Sequence, residues 1–299
     1  MRLHFPSPIA PVQAPARRNR HLHLVRQERV LSLFEPERPV ASGRALARAR
    51  KVAERMNAHL EVLFVCPLFA VRRDSGRRAL AILERLASRS ARRSDMTVVF
   101  TAGLAQEQLA RRLRSSRPGI VVVGERKGAG GVWASLAAEA SIPVLIARRS
   151  RNNERVVAAT DATDPAFPTL TRALALARSS ADVTLLHNFA LRRWNWPVRN
   201  ITLGPEALQR LRELRAERLW KVAGARSPLA QVVMTTNARA CNAVVEHGQR
   251  SDADLVVLGA HPQGRGQRRP TSQRIAAKLI ERLNRSVLVV PLEVQGGAR

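Results

Sequence analysis

The stretches Ile120-Val-Val-Val-Gly124-Glu-Arg-Lys-Gly128-Ala-Gly130-Gly131 and Leu255-Val-Val-Leu-Gly259-Ala-His261-Pro-Gln-Gly264-Arg-Gly266, 135 residues apart, present one pattern twice. In each, an apolar strand runs into a glycine-rich turn, then a short helix, then a second apolar strand. That second strand is Pro143-Val-Leu-Ile-Ala147 in the first copy and Ser286-Val-Leu-Val-Val290 in the second. The order puts the glycines at the carboxyl end of a parallel strand, where open α/β sheets bind ligands.

Working outward, the first copy predicts strands at 29–34, 60–65, 96–101, 119–123 and 143–147. Helices are expected over 42–57, with Ser42 as N-cap, over 75–92 and over 105–115. The second copy predicts strands at 155–160, 183–187, 229–235, 254–258 and 287–292. Its helices are a first one opened by Asp164-Pro165, then 205–222, 238–249 and 272–283. Strands this apolar, alternating with helices, indicate parallel sheets covered on both faces. Each copy is then a doubly wound five-stranded domain, and two copies pack most simply about a pseudo-twofold axis, as an isologous homodimer would. The expected division is a disordered basic arm over 1–27, domains over 28–149 and 154–293, and a tail over 294–299. Arg148-Arg-Ser-Arg-Asn-Asn-Glu154 interrupts the apolar pattern between the domains.

Composition narrows the classes. No apolar run approaches the roughly 18 residues of a membrane span, and the first 30 residues lack the apolar core of a signal peptide. Cys66 and Cys241, one per copy and in no CxxC pair, give no disulfide framework or metal cage, so the cytoplasm is the expected compartment. A net charge of +28 invites a nucleic-acid or anionic-surface partner. However, the basic residues are spread over both halves, nearly all are arginine, and there is no tyrosine to stack bases. Contact with nucleic acid is accordingly expected to be non-specific.

Val156-Val-Ala-Ala-Thr160-Asp161, Ala173-Leu-Ala-Leu-Ala177, Asp254-Leu-Val-Val-Leu-Gly259-Ala-His261 and Ala276-Ala-Lys-Leu-Ile280 with Val287-Leu-Val-Val290 resemble the universal stress protein family. The pair of copies resembles its tandem members. The resemblance implies two Rossmann-like domains of the adenine nucleotide alpha hydrolase type. It also implies a stress-responsive regulatory or protective role and ATP or AMP as the ligand; besides packing of the two copies in cis, a homo-oligomer is one open mode of assembly.

The family's nucleotide-binding branch carries Gly-x2-Gly-x9-Gly-Ser/Thr after the fourth strand and an Asp at the end of the first. Glycines admit phosphates to backbone amides at a helix N-terminus, and the carboxylate accepts from ribose hydroxyls. Gly259 matches the first glycine and Asp161 the carboxylate. Pro262 stands where the second glycine belongs and removes an amide donor; the closing pair falls at Ser272-Gln273. Gly264, Gly266, Thr271 and Ser272 supply similar groups in a shifted register, beside Arg265, Arg268 and Arg269. His261 stands where some relatives place a histidine on the phosphate side. On one reading this loop holds the nucleotide; on the other, Thr271 or Ser272 merely caps the last helix. His187 is expected at the crevice rim, and Trp194 and Trp196 either form a contact patch or cover the edge of the second core. The first copy departs further, with Glu35 in place of the Asp and a shorter loop, so Gly128, Gly130 and Gly131 either cradle a phosphate or form a tight turn, the tight turn and a packing role being the expectation. No GxSxG, Walker A or HEXXH pattern occurs, and a binding module rather than an enzyme is expected. The competing expectations are an Arg-rich nucleic-acid or anionic-surface binder on the same fold, and an adaptor that binds no nucleotide.

Overall fold

The computed structural model describes residues 28–67, 81, 82, 84, 85, 88, 95–149, 154–161, 167–188, 205–236, 239–263 and 270–292. The basic arm, most of the helix expected at 75–92, Asp164-Pro165, the Trp194 and Trp196 loop, Gly264, Gly266 and the tail after Leu292 lie outside them.

Ten strands form one sheet: β1 (Arg29–Phe34), β2 (His59–Cys66), β3 (Met96–Ala102), β4 (Ile120–Gly124), β5 (Val144–Ala147), β6 (Val156–Thr160), β7 (Val183–Asn188), β8 (Gln231–Thr235), β9 (Leu255–Ala260) and β10 (Ser286–Pro291). The order is β3-β2-β1-β4-β5-β10-β9-β6-β7-β8. Every adjacent pair is parallel except β5 with β10. Each half therefore repeats one doubly wound order, reversing direction between β1 and β4 and again between β6 and β9. The halves join edge to edge, with Leu145 opposite Leu288 and Ile146 opposite Val287. Those two leucines are equivalent when Pro143 is aligned on Ser286, so the junction pairs like with like, as an isologous contact requires.

Both faces are covered, which is why the central strands carry apolar residues without alternation. On one face lie α1 (Pro39–Met56), α4 (Pro168–Leu176) and α5 (Pro205–Arg226). Phe34, Ala49, Phe64, Leu170, Leu185 and Leu219 pack there. The other face carries α2 (Ala105–Ser116), α3 (Gly130–Ala140), α6 (Ala240–Arg250) and α7 (Thr271–Arg282), and Leu31, Leu109, Trp133, Val256, Leu279 and Val289 pack there. Each core runs continuously across the junction, so the halves share their apolar interior. Among the described residues, no helix is long and apolar enough to cross a membrane.

Four helix starts differ from expectation, α6 by beginning at Ala240 rather than 238. Helix α1 begins at Pro39 rather than Ser42, because proline at the first helical position gives up an amide that would have no helical partner. Ser42 lies inside the first turn, where its Oγ accepts from the Glu35 amide and donates to the Glu35 carbonyl, each at 3.0 Å. Helix α4 begins at Pro168, after Phe167 in a left-handed conformation (φ 44°), rather than at Asp164. Phe167 is buried beneath the Arg226 guanidinium, whose Nη1 donates to its carbonyl at 3.1 Å. Helix α7 begins at Thr271 with Pro270 as its cap residue, and neither Thr271 nor Ser272 caps it through a side chain.

Candidate functional site

In the second half the strand order reverses between β6 and β9, so the loops after these strands diverge and leave a crevice at the carboxyl rim. Ala159, Thr160 and Asp161 form one wall and Leu258 and Gly259 the other; Leu186 and Asn188 continue the floor along β7. The first residues of α6 and α7, including Ala240, Ser272 and Ile275, roof it, and Pro168 and Thr169 at the start of α4 close one end. The enclosed space is about 130 Å³. That is below the roughly 300 to 1,000 Å³ of a typical ligand pocket, so an occupant larger than one ring system must extend along the open side.

Of the residues singled out from the sequence, Asp161, Gly259 and Ser272 meet in this crevice. Asp161 is solvent-exposed at the end of β6. Gly259 has a packing role that the sequence did not reveal. A Cβ on it would lie 2.6 Å from Leu292 Cδ1 and 2.8 Å from Cγ, so the missing side chain makes room for Leu292 beside the crevice. The equivalent Gly124 in the first half is required in another way, since a Cβ there would lie 2.9 Å from the Ala41 backbone at the start of α1.

His261 and Thr271 do not line the crevice. The His261 amide donates to Ser272 Oγ at 3.0 Å, and its carbonyl accepts from Gln273 Nε2 at 2.7 Å. These two bonds pin the base of the β9–α7 loop to the first turn of α7. Gln273, fully buried, thus stands at the closing position of the motif as a brace; polar residues near a helix start are common, and nothing in the sequence distinguished this one.

His187 corrects its expected place at the crevice rim. Side chains alternate across a strand, so Leu186 and Asn188 face the crevice while His187 points to the opposite face. It is buried there, with Nδ1–H donating to the Thr160 carbonyl at 2.9 Å and a buried Nε2 that finds no hydrogen-bond partner among the described residues. Burial holds its pKa below the ordinary histidine value, the Thr160 bond opposing; Arg215 adds to the lowering and Asp161 counters it.

The corresponding turn of the first half is filled. Glu281, on α7, accepts from the Gly130 amide at 2.7 Å through Oε1 and from the Gly128 amide at 3.2 Å through Oε2. Burial raises the pKa of Glu35, the residue in place of the aspartate, against the opposing pull of Arg38 and Arg126. Arg148, expected to lie in the interruption between halves, is built into their junction. Its amide donates to Ser286 Oγ at 3.1 Å, its Nη2 to the Ile280 carbonyl at 2.6 Å, and its guanidinium pairs with Glu125 at 3.1 Å.

Comparison with known proteins agrees with this architecture. Residues 152–291 match the model of the universal stress protein family. A universal stress protein from Archaeoglobus fulgidus DSM 4304 is 17% identical, with 88% of this chain and 98% of that chain covered at a TM-score of 0.61. A chain from Pseudomonas aeruginosa UCBPP-PA14, described as a universal stress protein, is 19% identical, covering 89% and 93% at a TM-score of 0.60. A protein of unknown function from Pseudomonas aeruginosa PAO1 is 18% identical, covering 89% and 92% at 0.59. At these identities the likeness is one of fold, extending over both halves. No curated protein matches the sequence. Residues 152–291 thus form a domain that matches the universal stress protein family, and the first half shares its fold.

Proposed function

We propose that the second half binds an adenine nucleotide, ATP or AMP, in the β6–β9 crevice, and that the chain acts as a stress-responsive regulatory module through binding rather than catalysis. One observation carries this reading: the fold brings Asp161, Gly259 and Ser272 from three separate segments to a single crevice at the strand-order reversal. In this arrangement the Asp161 carboxylate accepts from ribose hydroxyls, and the apolar lining of Leu186, Leu258 and Ile275 takes a face of the base. The phosphates extend toward the N-terminus of α7, where unpaired amides and the helix dipole favour an anion. Because the His261 amide is already bonded to Ser272, the donors come from α7 itself.

Thermal unfolding in increasing ATP or AMP tests the proposal. A ligand that binds only the folded state stabilises it with the logarithm of its concentration, reaching about 2.7 kcal/mol at 100 times Kd. Saturable stabilisation is expected for the natural sequence and should vanish in Asp161→Ala. No stabilisation up to millimolar nucleotide would remove the reading. Mass analysis of small molecules released from the purified protein provides a second route.

A further inference from the structure

The first half also ends its fourth strand in a glycine turn leading to a helix, and that turn already holds a carboxylate from the other half. Glu281 reaches across the junction from the last turn of α7 and takes the amides of Gly128 and Gly130, one per oxygen. Arg148 lies in the same junction with its side chain only 12% exposed, and Glu125 and Glu281 are the carboxylates whose charge it feels. The approach leaves no spare room, since a Cβ on Gly130 would fall 2.5 Å from the Ala277 carbonyl of α7.

The acid is not repeated between the copies. With Pro143 aligned on Ser286, the first-half residue equivalent to Glu281 is Ala138, which is buried and carries no acceptor. The halves share a fold and an isologous strand junction, yet the position of Glu281 holds an acid in one copy and an alanine in the other.

We propose that Glu281 is an autoinhibitory latch: its carboxylate fills the first half's anion-binding turn, excludes phosphate-bearing ligands from it and ties α7 to α3. The inference stands apart from the nucleotide reading of the second half, because it concerns a different turn and different amides. A phosphate group would have to displace the Glu281 carboxylate to reach these amides. The latch therefore makes the first half a structural partner for as long as it is closed.

Hydrogen exchange at the Gly130 amide, followed by NMR in the full chain, reports on this turn alone. Glu281→Ala should speed that exchange at least tenfold. Inorganic phosphate at tens of millimolar should then slow it again in the variant, while leaving the natural sequence unchanged. Sodium chloride at matched ionic strength controls for the general anion attraction of a chain with a net charge of +28. Glu281→Gln keeps the length and one acceptor oxygen but loses the charge, and should show the same two effects in smaller degree; it replaces the alanine variant if that chain does not fold. Unchanged exchange in both variants would overturn the latch. Faster exchange that phosphate restores no better than chloride would overturn the anion site, as would an equal response to phosphate in the natural sequence.

Discussion

Replacing Gly259 by alanine separates a packing requirement from a ligand requirement at the end of β9. Gly259 does not have a positive φ, so alanine suits the backbone and the obstacle is steric. The new methyl would sit 2.6 Å from Leu292 Cδ1 and 2.8 Å from both Cδ2 and Cγ, closer than such carbons approach in folded proteins. Leu292 cannot withdraw as a unit, because it is buried and its amide donates to the Ala260 carbonyl at 2.9 Å. Its side chain must leave its rotamer, and overpacking of this kind costs about 1 to 3 kcal/mol. Leu292→Ala alone should cost about 2 kcal/mol, the low end for a buried leucine, because the site borders a crevice. In that background the Leu292 atoms that obstruct Gly259→Ala are gone. The substitution should then be neutral or stabilising by up to about 1 kcal/mol through the reduced freedom of the unfolded chain. Urea denaturation of the ligand-free protein, run as a double-mutant cycle, measures the coupling, expected at about 1 to 3 kcal/mol. If Gly259→Ala is as stable as the natural chain, or if its loss persists without Leu292, the packing account of this glycine is wrong.

Three further outcomes are expected. Glu61 is buried and accepts two bonds from Arg112, at 2.6 and 2.8 Å, so Arg112→Ala strands its charge. The loss should be about 3 kcal/mol by denaturation, limited by Arg29 at 3.8 Å, and a loss below 1 kcal/mol would contradict the pairing. Burial lowers the pKa of His187, so below its ordinary value of about 6.5 the unfolded chain takes up a proton that the folded chain refuses. Stability is therefore full above that pH and falls on acidification, by at most about 1.4 kcal/mol per pH unit, and His187→Asn should flatten the slope. An unchanged slope would rule out His187 as a source. Burial also raises the pKa of the Cys66 thiol, with Glu37 adding to it, whereas Cys241 is only half-buried. Iodoacetamide at pH 8 should label Cys241 at least tenfold faster, and the reverse order would place Cys66 wrongly.

The strands and most helices were legible because a strand buried on both faces has to be continuously apolar and an amphipathic helix has to repeat at its own period. Val121, Val122 and Val123 are read as a core strand in any context. Helix starts were less legible. Pro39 and Phe167 open α1 and α4 through a missing amide and a left-handed turn, where Ser42 and Asp164 carried the more familiar capping chemistry. The candidate site was legible only where a residue type suffices, as with Asp161 at a strand end. His187 was misplaced because strand parity at its rim depends on where β7 runs in the finished sheet.

By itself, the sequence determined that one α/β pattern occurs twice and that its glycines follow the fourth strand of each copy, since period and residue type are local properties. Only the tertiary structure decided which remote residues meet. It set Leu145 against Leu288, placed Leu292 over Gly259, and carried Glu281 into the turn of Gly128 and Gly130. Each of these contacts joins residues remote along the chain, so its existence depends on docking geometry that no local pattern encodes.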